Sequence, residues 1–274
     1  MNKVDIKKDA ITEHMESNMH LKLQYIPSKL SSMFINNIDQ TLVVDSGMLT
    51  DTFNTAYGGI VTQKVANEVM QYYLQRKLPM AWWIGPFSAQ NKDLEKNMQA
   101  AGFAKDELDI GMYCDLNKND LKPYKIPDKL TIKECFNEKE FSDFGKVLAS
   151  VFEPVCKYVE VFYEKVSTIP TQDRKNLRLL IGYVDDEPVA TAVVFLSDVA
   201  GIYDVSTRPD MQRKGYGSAM FYKALKLAFD SGYKDIVLQA SKDGLGIYKR
   251  FGFEEICEFN VWSNKDLLLS LIHI

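Results

Sequence analysis

Between residues 201 and 232 a strand runs into a two-glycine turn, and the turn runs into an amphipathic helix. This junction restricts the fold more than any other segment. Residues 201–207 read as the strand and 216–230 as the helix. Met220, Phe221, Ala224, Leu225 and Ala228 share one helix face, and Gly232 suits the C-terminal cap. Between strand and helix lies Gln212-Arg213-Lys214-Gly215-Tyr216-Gly217. Glycine adopts positive φ without a Cβ penalty and lets other groups approach the backbone. The first N–H groups of a helix have no partner inside it, and the helix dipole adds positive potential there. The junction therefore predicts an anion held on backbone amides. Arg208, Arg213 and Lys214 add basic charge around it.

Three anion-binding motifs compete for this junction. A P-loop follows its glycines with Gly-Lys-Ser/Thr, which is absent. A dinucleotide fingerprint requires a third glycine where Met220 stands. It also requires an acidic residue ending the next strand, where Asp243 is a weak match. The third motif, Gln/Arg-x-x-Gly-x-Gly/Ala, is met at each defining position by residues 212–217.

The surrounding sequence supplies the rest of a sheet. Residues 130–134 read as a strand. A helix follows from residue 138, with Asn137 as its N-cap and Phe141, Phe144, Val147, Leu148 and Val151 at helical spacing. A second helical stretch covers 157–166. Strands at 177–184 and 188–196 flank the acidic turn Asp185-Asp186-Glu187. Residues 236–240 read as a buried strand, 244–250 as a short helix ending at Gly252, and 253–262 as a last strand. This order predicts an α/β (α+β) fold with a mixed sheet, not a regular βαβ repeat.

Two further stretches match a known pattern. They are Val205-x-Thr207-x-Pro209 ahead of the loop, and Val237-Leu238-Gln239-Ala240-Ser241 with Ile247-Tyr248-Lys249-Arg250-Phe251-Gly252-Phe253 behind it. With the loop and the helix, they make residues 129–264 resemble the GNAT superfamily of N-acetyltransferases. The resemblance implies a GNAT-like mixed central sheet flanked by helices, with acetyl-CoA as cosubstrate. Val205, Ser206 and Thr207 would line the pantetheine arm, Val205 and Thr207 pairing with it like an added strand. The loop of Gln212, Arg213, Lys214, Gly215, Tyr216, Gly217 and Ser218 would take the diphosphate on its amides. A backbone N–H near Val205 would polarise the thioester carbonyl. A neutral amine would attack directly, and Tyr248 matches the tyrosine that protonates the departing thiolate. Asp204, beside the reacting strand, and Glu153, in a loop lining the acceptor pocket, are the two candidates for general base. Many members carry Asn where this chain has Ser241, which can also donate and accept. Packing roles compete for several of these residues. Tyr248 fits a core aromatic, Asp204 and Glu153 fit solvated or structural positions, and Phe152, Tyr158, Phe162 and Tyr163 have the spacing of a packed helix face.

A chain of 274 residues has room for two domains. The polar, proline-containing stretch 116–127 divides it into 1–127 and 128–274 and reads as a linker. In the first half, residues 1–40 read as helical, 41–45 and 52–57 as strands, and 62–76 as a helix. Residues 80–85 then form a buried strand, 91–101 a helix stopped by Gly102, and 103–116 a strand. Residues 81–103 echo 236–253: strand, loop, short helix, Gly-Phe. This half is a degenerate GNAT-like copy without the cofactor loop, making two tandem domains, or else an unrelated small α/β domain. Trp82 and Trp83 would face opposite sides of their strand. The apolar tail 267–274 would add an edge strand, cover a neighbour's edge, or be an appendage outside the native fold.

Composition narrows the setting. Apolar residues make up 46% and charged residues 26%, with net charge −4, so no global charge argues for nucleic acid or an anionic membrane. Cys114, Cys135, Cys156 and Cys257 form no CxxC pair, which argues against zinc and for reduced, mostly buried thiols. No signal peptide or membrane span is legible, so the expected compartment is cytoplasmic. The expected activity is N-acetyl transfer to a small-molecule or peptide amine. The alternatives are a protein acetyltransferase and a CoA-binding regulatory module with little turnover.

Overall fold

The computed structural model describes residues 3–119 and 121–272. In chain order the elements are α1 (Lys3–Tyr25), β1 (Phe34–Ile38), β2 (Thr41–Asp45), β3 (Thr55–Tyr57), α2 (Gln63–Gln75), β4 (Ala81–Ile84), α3 (Leu94–Ala100) and β5 (Ala104–Asp115). There follow β6 (Leu130–Glu134), α4 (Glu138–Ala149), α5 (Lys157–Ser167), β7 (Leu177–Val184), β8 (Glu187–Leu196) and β9 (Ala200–Thr207). The last are α6 (Tyr216–Asp230), β10 (Asp235–Ala240), α7 (Leu245–Arg250), β11 (Glu254–Ser263) and α8 (Lys265–Ile272). Among the described residues no helix is long and apolar enough to cross a membrane. Contacts divide the chain into two compact units. One gathers the residues up to Asn18 with Met112–Gln239 and Asp243–Glu255. The other gathers Met19–Gly111, Ala240–Lys242 and the residues from Ile256 onward.

In the first unit the strands lie side by side in the order β10-β9-β8-β7-β6. β6, β7, β8 and β9 pair antiparallel, and β10 joins β9 in parallel after the crossover through α6. The β7–β8 turn takes positive φ at Asp185 and Asp186 (51° and 66°), as a tight hairpin needs. α4 opens on a capping box. Asn137 Oδ1 accepts the Glu140 N–H at 3.1 Å, and Glu140 Oε2 accepts the Asn137 N–H at 3.3 Å. α6 buries Met220, Phe221, Ala224, Leu225 and Ala228, the face predicted from the sequence, together with Tyr216 and Ala219. Each large apolar side chain buried in this way stabilises the fold by roughly 1.5–3 kcal/mol.

One contact of the first unit fixes β9. Asn18 on α1 is fully buried, and its Nδ2 donates to the Phe195 carbonyl (3.3 Å), Ser197 Oγ (2.8 Å) and the Val199 carbonyl (3.0 Å). Its Oδ1 accepts the Tyr203 hydroxyl at 2.6 Å. Gly201 makes room for this arrangement: a Cβ there would stand 2.1 Å from Asn18 Oδ1 and 2.5 Å from the Tyr203 ring. The helix thereby holds the β8–β9 hairpin by every polar atom of one side chain.

The second unit is built on the strand order β1-β2-β3-β4-β11. Trp262 pairs with Trp82 in register, and both rings are buried in one core with Val65, Val69 and Tyr73 of α2. Trp83, on the alternate face, is half-buried. All four cysteines are free; Cys114 and Cys135 are buried, and Cys156 and Cys257 are half-buried.

Three local expectations change. The helix expected over 1–40 stops at Tyr25, because Phe34–Ile38 is drawn into an antiparallel pair with β2. Tertiary pairing of this kind overrides local propensity. The strand expected over 52–57 shrinks to Thr55–Tyr57, since fully buried Asn54 instead organises the loop before it. Its Nδ2 donates to the carbonyls of Met48, Thr50 and Pro79 at 2.7, 2.8 and 2.9 Å. The apolar tail, for which an edge strand was one of three expectations, is helical as α8 through Ile272; residues 273 and 274 lie outside the described residues. Short apolar runs do not separate strand from helix by pattern alone.

Two stability predictions follow from these contacts. Gly201→Ala forces Asn18 or Tyr203 aside and should cost about 2–4 kcal/mol in denaturant unfolding; an unchanged midpoint would contradict the contact. Asp109 on β5 is 8% exposed, and burial together with Glu107 lifts its carboxyl from 3.8 to about 6. Between those values the folded state holds a proton the unfolded state has lost, so stability falls as pH rises through that window. Asp109→Asn should therefore raise stability at pH ~7.5 by about 1–2 kcal/mol, with the gain fading toward pH ~4. A gain independent of pH would contradict this origin.

Candidate functional site

The register between β9 and β10 runs through Ile236↔Ala200 and Val237↔Gly201 and no further. Both strands continue, β9 to Thr207 and β10 to Ala240, so they part beyond Gly201. The side of β9 that faced β10 is left as a bare strand edge, with main-chain groups open to an extended ligand. On its other side β9 stays paired with β8, but the register slips. Thr191 faces Ser206 and Val193 faces Tyr203, so Asp204 and Val205 together oppose Ala192. A bulge of this kind turns the side chains that follow and breaks the simple alternation of a strand.

Asp204 is the residue the bulge strains, with φ of +49°. Asp visits this region more readily than most residues when local hydrogen bonds support it. Here the Thr191 hydroxyl donates to the Asp204 carbonyl at 2.9 Å, and the Tyr163 hydroxyl donates to Asp204 Oδ2 at 3.0 Å. Tyr163 is buried on α5 against Phe144 and Phe162, with ring centroids 4.5 and 5.3 Å away. Burial and the Asp204 carboxylate push its phenol well above the ordinary range, so it stays a donor. The sequence placed Tyr163 on a packed helix face, with lining of the acceptor pocket as the alternative. Nothing in its spacing told of a partner 41 positions later.

The turn after β9 leads into α6. Arg213 and Gly215 both take positive φ (61° and 84°), and Gly215 is the N-cap. Gln212, Arg213, Lys214 and Gly215 are exposed. The helix has no side-chain cap and no acidic residue in its first turn. Its first backbone bond runs from the Ala219 N–H to the Gly215 carbonyl at 3.0 Å, so the N–H groups of Tyr216, Gly217 and Ser218 precede the ladder. The Tyr216 side chain is in the core, which limits its part at the surface to its backbone. Gln212 Nε2 donates to the Thr207 carbonyl at 3.3 Å, closing the turn. A Cβ on Gly217 would stand 3.2 Å from Thr207 Oγ1 and 4.0 Å from Ile247 Cδ1. The end of β9, the start of α6 and α7 thus meet at one glycine.

α7 brings in Tyr248. Its ring lies 4.7 Å from Phe221 and 6.4 Å from Phe253, and it is half-buried. Arg250 Nη2 donates to Ser218 Oγ at 3.4 Å. So Thr207 meets Gln212 and Gly217, α7 reaches Gly217 through Ile247 and Ser218 through Arg250, and Tyr248 packs on Phe221 of α6. Val205 and Ser206 lie on the same strand end, both half-buried. Lys214 Nζ is turned back onto the Asp210 carbonyl (3.3 Å) and Met211 Sδ (3.2 Å). Arg208 is spent locally: its guanidinium pairs with Asp210 Oδ2 at 2.7 Å and Glu187 Oε2 at 3.8 Å. Glu153 is exposed in the loop between α4 and α5, and among the described residues no hydrogen bond or ion pair ties it to this cluster. Ser241 is exposed just past β10 and clusters with the second unit.

The second unit has a strand-to-helix junction of its own, from β3 into α2, with a different chemistry. Thr62 caps α2, its Oγ1 accepting the Val65 N–H at 3.2 Å. The Val61 carbonyl accepts Asn91 Nδ2 and Asn97 Nδ2, each at 2.8 Å. A Cβ on Gly59 would stand 2.0 Å from Thr41 Oγ1. That helix start thus carries a side-chain cap from its own chain.

A search of curated proteins finds no match. Among solved structures, the chain is similar to a GCN5-related N-acetyltransferase from Kribbella flavida, with 14% identity, 91% of this chain and 95% of that chain covered, and a TM-score of 0.67. It is also similar to a functionally unknown conserved protein from Staphylococcus epidermidis (13% identity, 83% and 92% covered, TM-score 0.60). A tandem GNAT protein from the clavulanic acid biosynthesis pathway matches with 10% identity, 92% and 94% covered, and a TM-score of 0.56. These likenesses carry the fold: a mixed sheet flanked by helices, as in tandem GNAT proteins. The family model described as "Acetyltransferase (GNAT) family" matches residues 148–253, which span α5, β7, β8, β9, the glycine turn, α6, β10 and α7. Residues 148–253 are accordingly a GNAT acetyltransferase domain.

Proposed function

We propose that the protein moves an acetyl group from acetyl-CoA to an amine by direct attack, without an acyl-enzyme. The observation that carries this reading is the parting of β9 and β10 beside an uncapped helix start. The bare edge of β9 suits an extended pantetheine arm, received by the backbone of Val205 and Thr207 with Ser206 between them. The left-handed turn at Arg213 and Gly215 and the first amides of α6 suit a diphosphate. Gly217 suits the close approach, since a side chain there would press on Thr207. Acetyl-CoA supplies the activated acetyl thioester.

The remaining roles belong to this chain's own groups. We assign the Val205 N–H, on the bulge, to the developing oxyanion. We assign Asp204 as the group that takes the proton from the incoming ammonium. Tyr163 holds its Oδ2, and Oδ1 is the oxygen left for the amine. Glu153, on the exposed α4–α5 loop, is the alternative proton acceptor. Tyr248 donates a proton to the leaving thiolate. The acceptor is an amine, as a small molecule or on a peptide. The capped start of α2 supports a first half, residues 1–127, that is GNAT-like without holding CoA, beside a transferase half at 128–274.

The test is thiol release from acetyl-CoA across a panel of amines and peptides. Release that depends on the right amine supports the transferase; tight CoA binding with no release from any amine supports a regulatory module instead. Tyr248→Phe should lower kcat by about 100-fold while CoA affinity stays within about twofold; an unchanged kcat removes Tyr248 as the acid. Gly217→Val should weaken CoA binding by at least about tenfold, measured by calorimetry. Retained affinity would remove the loop from the site.

A further inference from the structure

The stretch between β5 and β6 has the composition of a spacer, and residues 121–127 have no regular secondary structure. Its contacts give it a second role. Asn119 Cγ stands 3.3 Å from a Cβ placed on Gly252, the positive-φ glycine that follows α7 (φ +86°). Asn119 Nδ2 also meets Cys114 Sγ at 3.8 Å, and Cys114 Sγ donates to the Phe251 carbonyl at 3.8 Å. Five residues on, the Tyr124 ring lies 5.8 Å from Tyr222 of α6 and 5.6 Å from Phe251 beyond α7. The Tyr124 hydroxyl and Pro127 Cγ stand 3.8 and 3.7 Å from a Cβ placed on Gly215. The segment therefore reaches the glycine that opens α6, the glycine that follows α7, and an aromatic ring on each side between them.

This placement matters because the glycine turn does not hold its own shape. Arg213 and Gly215 both sit at positive φ, and residues 212–215 are exposed. A non-glycine residue at positive φ costs on the order of 1–3 kcal/mol and persists only where its surroundings over-determine it. An amide nest binds an anion well only when its N–H groups already converge, since ordering them on binding subtracts from affinity. Besides the Gln212–Thr207 and Lys214–Asp210 bonds, the packing behind Gly215 comes from Tyr124 and Pro127.

We propose that Asn119 and residues 121–127 form a strap that holds the cofactor turn in its binding shape, with Tyr124 as a positioning residue for the phosphate-bearing arm. The inference rests on the acetyl-CoA reading above. It lies outside the span of the family match, which begins at residue 148. The Tyr124 ring acts by stacking, not by touching the cofactor, so its loss should appear in affinity and spare the chemical step.

The experiment uses the full chain, with CoA as the calorimetric probe and acetyl-CoA in saturation kinetics. Tyr124→Ala should weaken CoA and raise the KM for acetyl-CoA by about tenfold, the size expected for losing two ring contacts, with kcat within about twofold. Tyr124→Phe, which keeps the ring, should stay within about twofold of the parent in both. If Tyr124→Ala does not fold, Tyr124→Leu is read the same way. Parent-like affinity in the Ala variant overturns the strap. Equal weakening in Ala and Phe overturns it in favour of a hydroxyl that touches the ligand. A fall in kcat and Tm with unchanged KM overturns it in favour of a purely structural segment. If the parent chain itself binds no CoA, the functional reading fails and the strap falls with it; CoA binding in the parent isolates the strap as what is being tested.

Discussion

Two parallel strands that stop pairing are the constraint on which this site depends. β9 and β10 share register at two positions and then diverge. Backbone N–H and C=O groups are costly to leave without partners, so a strand edge bared in this way needs water or a ligand. β9 does not follow β10 because it is held elsewhere. It stays paired with β8 up to Thr207, across the bulge at Asp204, and Asn18 ties the β8–β9 hairpin and Tyr203 to α1. Gly201 marks the last shared pair and is also where a side chain would collide with Asn18. The position at which the strands part is therefore set by packing as well as by hydrogen bonds.

Strain is concentrated just beyond that point. Asp204, Arg213 and Gly215 take positive φ within twelve residues, about the length of one extended strand-and-turn. The carboxylate of Asp204 is held from α5 by Tyr163, its carbonyl by Thr191 of β8. The turn is held from the segment before β6. Each strained residue thus draws its support from a separate stretch of chain, which is how a rigid scaffold presents groups in unfavourable backbone conformations. In the second unit, the corresponding strand-to-helix junction gives the Val65 N–H to Thr62 Oγ1, and its Val61 carbonyl accepts Asn91 and Asn97. The two junctions share an order of elements and differ in whether the helix start is left open.

Much of this was legible in the sequence, for physical reasons. The helix face of α6, the Asn137 cap and the glycine turn are local features, and local patterns survive without knowledge of the fold. The loop residues and Thr207 meet α7, through Ile247 and Arg250, because the two motifs flank one crossover. What was not legible depends on contacts distant in sequence. Asn18 and Phe195 are separated by 177 positions, and Tyr163 and Asp204 by 41. The bulge at Asp204 was hidden too, because a slip of register leaves no mark in composition. The stretch 116–127 looked like a spacer because its residues are polar, yet one aromatic, Tyr124, decides where it lies. The short apolar tail was ambiguous between strand and helix for want of length.

The central claim is that one open helix start, beside one bared strand edge, makes one cofactor site per chain. Calorimetric titration of the purified protein with CoA measures this directly. One equivalent bound per chain is the predicted result, reflecting the open junction at Gly215 and the closed one at Thr62. Two equivalents would show that the capped junction also binds, and the absence of binding would remove the bared edge of β9 as a cofactor site.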